Sequence, residues 1–259
     1  MRVAVVGGTG LAGRRTVEAL QRAGHEAVVI ARATGVDLLK GDGLDAALAA
    51  VDVVIDTINL QPNEAEATGA QFETAMKNLL SAEQRAGVKH HVLLSIVGVD
   101  RLKGNAHYQG KRIQEALLAA SKVPATIQRV SQFHEFAGML VSWFQKEGVV
   151  HLPPLLFQPV AISDVAEVLV EVATGEPRGR AVDLAGPEPQ DLIDMARRTL
   201  EARGESLRLV PSWRHGPFGL EAAGEVFLPG PEARLGRTTF DSWLAEQRER
   251  RADRPRFLP

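Results

Sequence analysis

The chain of 259 residues has no cysteine, a single tyrosine, and only seven lysines among its 30 basic residues. Without cysteine there are no disulfides, no thiolate metal sites and no cysteine nucleophile. Charge of one sign is also missing: 30 basic side chains stand against 32 acidic ones, a net of −2, so no broad surface for nucleic acid or anionic lipid is expected. No uninterrupted apolar run approaches the roughly 18 residues of a membrane span. The opening Met1-Arg2-Val3-Ala4-Val5-Val6 reaches Gly7-Gly8 too soon for the apolar stretch of a signal peptide, and a cytoplasmic location is expected. The histidines (His25, His90, His91, His107, His134, His151, His215) include no pair four apart with a carboxylate between them, so no metal site is predicted.

What is present is a hydrophobic content of 45%, in a length that suits one large domain or one domain with a small second lobe. In the first half, short apolar runs alternate with helical stretches. Strands are predicted at Arg2–Val6, Ala27–Ile30, Val36–Leu39 (the weakest), Val51–Asp56, Val88–Leu94 and Ala125–Val130. Helices are predicted from Leu11 to a cap at Gly24, over Leu44–Ala50, from about Pro62 to Ala86 before Gly87, and over Asn105–Ser121. The strands are continuous apolar runs without in/out alternation, as in strands covered on both faces. Six such alternations predict an α/β fold with a doubly wound parallel sheet.

Beyond residue 130 the pattern loosens. Phe133, Phe136, Met139, Leu140, Trp143 and Phe144 have the helical spacing of core residues. Ser163 and Asp164 are expected to cap a helix ending at Ala173. A strand follows at Ala181–Leu184, a helix at Asp191–Arg203, and a last helix at Phe240–Gln247. The arginine-rich end (Arg248, Arg250, Arg251, Arg254, Arg256) reads as a solvated tail.

Gly7-Gly8-Thr9-Gly10-Leu11-Ala12-Gly13 follows the first strand directly and opens the first helix. Read as Gly8-x-Gly10-x-x-Gly13, it fits the dinucleotide fingerprint of a Rossmann sheet. Gly8 permits the tight turn, Gly10 lets the backbone approach a pyrophosphate, and Gly13 lets the helix pack on the strand. The helix start adds unpaired N–H groups and the positive dipole end. At the end of the second strand, Ala31-Arg32-Ala33-Thr34 has no carboxylate before Asp37, whereas an NAD-type site uses one to bind the ribose 2′-hydroxyl. Arg32 matches a 2′-phosphate instead, with Arg14 and Arg15 nearby in the first helical turn, which predicts NADP(H) in preference to NAD(H). No Gly-Lys-Ser/Thr follows the loop, and no Gly-x-Ser-x-Gly surrounds Ser95, so neither a P-loop nor a hydrolase elbow is expected.

With this loop, Gly41-Asp42, Leu94-Ser95-Ile96-Val97-Gly98, Thr126–Phe133, Ser163-Asp164-Val165-Ala166 and Leu184–Glu188, the chain resembles the short-chain dehydrogenase/reductase superfamily. It is most similar to the atypical, NmrA-like members with an NAD(P)H-binding domain, over about residues 1–200. The resemblance implies that Asp42 sits by the adenine and that Thr57 to Asn59 line the ribose and nicotinamide side. It implies that Ser95 takes the place of the catalytic serine and Lys111 that of the active-site lysine.

The chain departs from that pattern at the tyrosine of Tyr-x-x-x-Lys, where His107 stands four residues before Lys111. Reduction of a carbonyl needs a proton for the developing alkoxide. Tyr108, three residues before Lys111, shares its helical face, and His107, near its pKa at pH 7, is the other candidate acid. The remaining alternatives are hydride transfer that needs no protein acid, as to a quinone, and no turnover at all.

Ligands of open α/β sheets bind beyond the carboxyl ends of the strands, where Gln132, Phe133 and Phe136 are expected as walls of a substrate pocket. The expected division is a dinucleotide-binding domain (residues 1–130 plus about 158–185) and a smaller substrate-facing lobe (131–157 and 186–259). Two functions follow. One is an NADPH-dependent oxidoreductase passing hydride to a small carbonyl or quinone-like molecule. The alternative is a non-catalytic NADP(H)-binding sensor or regulator. Neither needs a direct nucleic-acid or membrane partner, and the helices at 62–87 and 105–121 offer faces for a homodimer.

Overall fold

A computed structural model describes residues 1–60, 65–214 and 218–252. The predicted helix start at Pro62, and His215, Arg254 and Arg256, lie outside these residues. In chain order the elements are β1 (Arg2–Val6), α1 (Leu11–Arg22), β2 (Glu26–Ile30), α2 (Leu44–Ala47), β3 (Val53–Asp56), α3 (Ala65–Ala86), β4 (His90–Ile96), α4 (Ala106–Ala119) and β5 (Ala125–Val130). There follow α5 (Phe136–Phe144), β6 (Gln145–Lys146), β7 (Val149–Leu152), β8 (Leu156–Phe157), α6 (Ile162–Thr174), β9 (Gly179–Arg180) and β10 (Leu184–Ala185). The series ends with β11 (Gln190–Asp191), α7 (Leu192–Arg203), β12 (Arg208–Pro211), β13 (Arg234–Leu235) and α8 (Phe240–Ala252). No helix among the described residues is long and apolar enough to cross a membrane.

The chain divides into two compact units. The first comprises Met1–Val130 and Ile162–Leu184. Its sheet is parallel, in the order β10-β5-β4-β3-β1-β2, with β9 also on β5. The strand order reverses at β1, so the switch point lies at the carboxyl ends of β1 and β3. Ala4, Val6, Val54 and Leu93 point from the strands into a core with Phe72, Met76 and Leu79 of α3. Helices α1 and α6 pack together, as do α3 and α4. This is the doubly wound Rossmann arrangement that the apolar strand runs predict. A Cβ on Gly110 of α4 would collide with the Phe72 ring of α3, so the bare glycine sets how closely these helices cross.

The second unit comprises Ser131–Ala161 and the chain from Ala185 onward. It holds a small sheet in which β7 pairs antiparallel with β6 and parallel with β12, and an antiparallel β8–β11 pair. Its aromatic core joins Phe136 edge-on to Phe157 and Phe218, with Phe227 against Phe218.

Several local expectations are corrected. Val36–Leu39 forms no strand: Asp37 N–H bonds to the Asp42 carbonyl (3.0 Å), the Asp37 carboxylate accepts Leu39 N–H (2.9 Å), and Gly41 has φ of 81°. Asn78 of α3 donates to the carbonyls of Leu38 and Leu39, leaving them unavailable to a neighbouring strand. Helix α6 starts at Ile162, so Ser163 and Asp164 lie inside its first turn, where the carboxylate suits the helix dipole. Of the strand expected at Ala181–Leu184 only Leu184 is strand, in β10, and the Val182 carbonyl accepts a side chain instead, Gln128 Nε2 (2.9 Å). Trp143 is 53% exposed; the core face of α5 is Ala137, Gly138, Leu140 and Val141. The last helix extends past Gln247 to Ala252.

Candidate functional site

The glycine loop lies at the carboxyl end of β1. Gly7, rather than Gly8, takes the left-handed conformation (φ 73°) that the tight turn requires. A Cβ on Gly7 would also come within 3.2 Å of the Thr57 carbonyl oxygen and Oγ1, so the end of β3 presses on the loop. At Gly13 a Cβ would overlap the Gly7 carbonyl oxygen and sit 2.7 Å from Gly8 Cα, which explains how closely α1 packs on the loop. The first turn of α1 has neither a side-chain cap nor an acidic residue, and its first backbone bond is Arg14 N–H to Gly10 O (3.0 Å). The amides of Leu11, Ala12 and Gly13 precede that bond, so the uncapped helix start fits a phosphate. Leu11 is exposed, as are Thr9 and Gly10, while Ala12 is buried.

Arg32 lies exposed in a single 3₁₀ turn after β2, closed by Thr34 Oγ1 donating to the Val29 carbonyl (3.0 Å). Arg14 is exposed, and Arg15 is paired with Glu18. Asp42 is exposed in the turn that replaces the expected third strand. Beyond β3, Thr57 is tied to β1: its Oγ1 and its amide both donate to the Val6 carbonyl (2.7 and 2.9 Å). Asn59, two residues on, is exposed.

A second cluster sits where β3, β4 and β5 meet α4. Asn105 caps this helix, accepting the amides of His107 and Tyr108. Lys111 is 4% exposed and donates to the carbonyls of Ile58 and Leu94, both at 3.0 Å. Burial lowers its pKa to about 8, against the opposing pull of Asp56 and Glu115. Three and four residues on, Gln114 donates to the Asp56 carboxylate (3.0 Å), and Glu115 accepts the Ser95 hydroxyl (2.5 Å). Arg129 of β5 forks onto Glu115 (2.8 and 2.5 Å) and reaches Asp100 (2.5 Å). A carboxylate held by a guanidinium only accepts, so the Ser95 proton points at Glu115.

His107 packs edge-on against Phe72, with the Tyr108 ring 6.3 Å away. Burial, with the Lys111 charge beside it, pushes His107 down to about 4. It is therefore neutral at pH 7, which corrects the expectation that it stands near its pKa there. Tyr108 is buried.

The residues expected to line a pocket belong to the second unit. Gln132 is buried and its carbonyl accepts Val160 N–H (2.8 Å); Phe133 forms a bridge with Val160; Phe136 is part of the aromatic core. The structure thus brings Ser95 and Lys111 together around α4 and places the glycine loop at the neighbouring strand end. Sequence reasoning missed Asp56, Gln114, Glu115, Arg129 and Asp100. The one available signal was the i, i+4 spacing of Lys111 and Glu115 on a predicted helix.

A model of the NAD(P)H-binding family matches residues 7–176. The chain belongs to that family. Among curated proteins this NAD(P)H-binding chain is 29% identical over 147 residues to the photosystem II assembly factor Ycf39 of Synechocystis sp.. That alignment covers 51% of this chain and 45% of the relative, so the chain spans less than half the length of the protein it matches. Among solved structures, a short-chain dehydrogenase/reductase superfamily protein from Agrobacterium tumefaciens with bound NAD shares the fold at a TM-score of 0.71 and 17% identity, over 98% of both chains. An NADPH-dependent quinone oxidoreductase from Escherichia coli, complexed with NADPH, matches at a TM-score of 0.64 and 19% identity, over 81% of this chain and 78% of that one.

Proposed function

We propose that the protein is an NADPH-dependent oxidoreductase that passes hydride to a quinone-like acceptor. The observation that carries this reading is how the groups around Lys111 are engaged: Ser95 donates to Glu115, two of the Lys111 N–H groups go to backbone carbonyls, and His107 is neutral at pH 7. A quinone accepts hydride as a hydroquinone anion that takes its proton from water, whereas an alkoxide needs an acid in place. For a small carbonyl, Tyr108 is the remaining candidate acid.

Bound NADPH would supply the hydride. In this reading the amides from Leu11 to Gly13 hold the pyrophosphate, with Gly7, Gly8, Thr9 and Gly10 shaping the approach. Arg32 binds the 2′-phosphate, and Asp42 lies on the adenine side. Thr57, Asn59, Ser95 and Lys111 belong to the nicotinamide side, and Gln132, Phe133 and Phe136 are pocket walls in a substrate-facing second unit. The quinone oxidoreductase named above supports this reading through its shared fold.

His107 in place of a tyrosine four residues before Lys111 favours a second reading, an NADP(H)-binding sensor without turnover. One experiment separates them: NADPH oxidation is followed with benzoquinone, a naphthoquinone and aliphatic aldehydes as acceptors. Turnover with quinones that survives Tyr108→Phe supports the oxidoreductase. Micromolar NADPH binding without turnover on any acceptor supports the sensor. Turnover confined to aldehydes and abolished by Tyr108→Phe would replace the acid-free mechanism with one run by Tyr108.

A further inference from the structure

Buried lysines ordinarily have a carboxylate partner, but among the described residues Lys111 hydrogen-bonds only to main-chain carbonyls. The nearby carboxylates are engaged elsewhere: Asp56 accepts the Ile58 amide (2.8 Å) and Gln114, and Glu115 accepts Ser95 and Arg129. Lys111 donates instead to two main-chain carbonyls, Ile58 in the loop that follows β3 and Leu94 of β4. The backbone pairing of β3 with β4 ends at Asp56 opposite Leu93. Just past that point Lys111 reaches from α4 and joins the Ile58 carbonyl, two residues beyond β3, to the Leu94 carbonyl of β4.

We propose that Lys111 is a positioning residue that staples the chain just past β3 to β4, fixing Ile58–Asn59 and Ser95 for the nicotinamide half of the cofactor, and that it does not act through its charge on the ligand. This rests on the reading above that those segments face the nicotinamide. Two carbonyls need two N–H groups, and a neutral amine still has two. The staple therefore holds in either protonation state. Thr57 is anchored separately to β1 through Val6, and the glycine loop through Ile30. Loss of the staple thus loosens the nicotinamide side while leaving the adenine and phosphate side in place.

The test is titration calorimetry of the full chain with NADPH and with ADP, which occupies only the adenine and diphosphate side, for wild type and Lys111→Met. The variant keeps the length of the side chain and removes its donors. NADPH binding is expected to weaken roughly tenfold or more, the scale of a buried hydrogen bond lost, while ADP binding stays within about twofold. Equal weakening of both probes overturns the proposal, because general damage to the fold would act on both. A second measurement needs no variant. Wild-type NADPH affinity is expected to stay constant from pH 7 to 9.5, and a loss of about tenfold or more over that range overturns the proposal by showing that the charge touches the ligand. Binding of neither probe to wild type would instead refute the nucleotide reading itself, and this proposal with it.

Discussion

His91 and Glu83 form an ion pair inside the first unit, and its removal has a calculable cost. Both side chains are 0% exposed, with His91 Nδ1 at 2.8 and 3.0 Å from the two Glu83 oxygens. His91 Nε2 has no hydrogen-bond partner among the described residues, so Glu83 is the ring's sole hydrogen-bonding anchor there. Burial by itself lowers the His91 pKa, but the Glu83 charge and hydrogen bond, with a smaller push from Asp56, outweigh it and raise the pKa above 6.5. At an effective dielectric near 20, two unit charges 2.8 Å apart attract by roughly 6 kcal/mol, an upper limit before desolvation is subtracted. Stranding one partner of a buried pair costs about 3–5 kcal/mol. Glu83→Leu is therefore expected to lose about that much, and Glu83→Gln, which keeps a hydrogen bond, about 1–2 kcal/mol.

The pH dependence has a definite sign. A raised folded pKa means that the native state binds more protons than the unfolded chain, so this contribution is complete below pH 6.5 and disappears as pH rises through the folded value. Urea unfolding at pH 6, 7.5 and 9 should show wild-type stability falling relative to both variants. A Glu83→Leu loss below about 1 kcal/mol, or a wild-type advantage that grows with pH, would refute the ion-pair account.

Other perturbations probe the site more directly. Gly13→Ala forces a methyl into the Gly7 carbonyl, so NADPH binding measured by calorimetry should fall at least about 100-fold, beyond any drop in thermal stability. Arg32→Ala should weaken NADPH roughly 10-fold or more and leave NADH unchanged; equal effects on both would remove the 2′-phosphate assignment. His107, depressed to about 4, gives the opposite sign from His91: the unfolded chain takes up its proton first, so stability should fall as pH drops from 6.5 towards 4, and His107→Phe should flatten that limb in acid-unfolding curves.

Much of the first unit was legible because its signals are local. The strands at β1, β2, β3, β4 and β5 are continuous apolar runs, and the glycine spacing needs only the neighbouring backbone to make sense. The strand expected at Val36–Leu39, which does not form, shows the limit of that logic. Val36 does pack in the core with Leu38 against it, but Asn78, some forty residues away, takes the carbonyls a strand would need. Lys111 was found by its position after His107 and Tyr108, yet its partners were hidden. Ile58 lies 53 residues away and Leu94 17, and no sequence period links them.

The sequence by itself determined the parallel sheet, the glycine-loop turn into α1 and the missing carboxylate after β2, because each follows from a short pattern of sizes and polarities. Tertiary structure decided the protonation states and the direction of each hydrogen bond. His107 is neutral because Phe72 and Lys111 surround it, and Ser95 points its proton at Glu115 because Arg129 holds that carboxylate. These properties depend on burial and on charges brought together by folding, which have no fixed spacing along the chain.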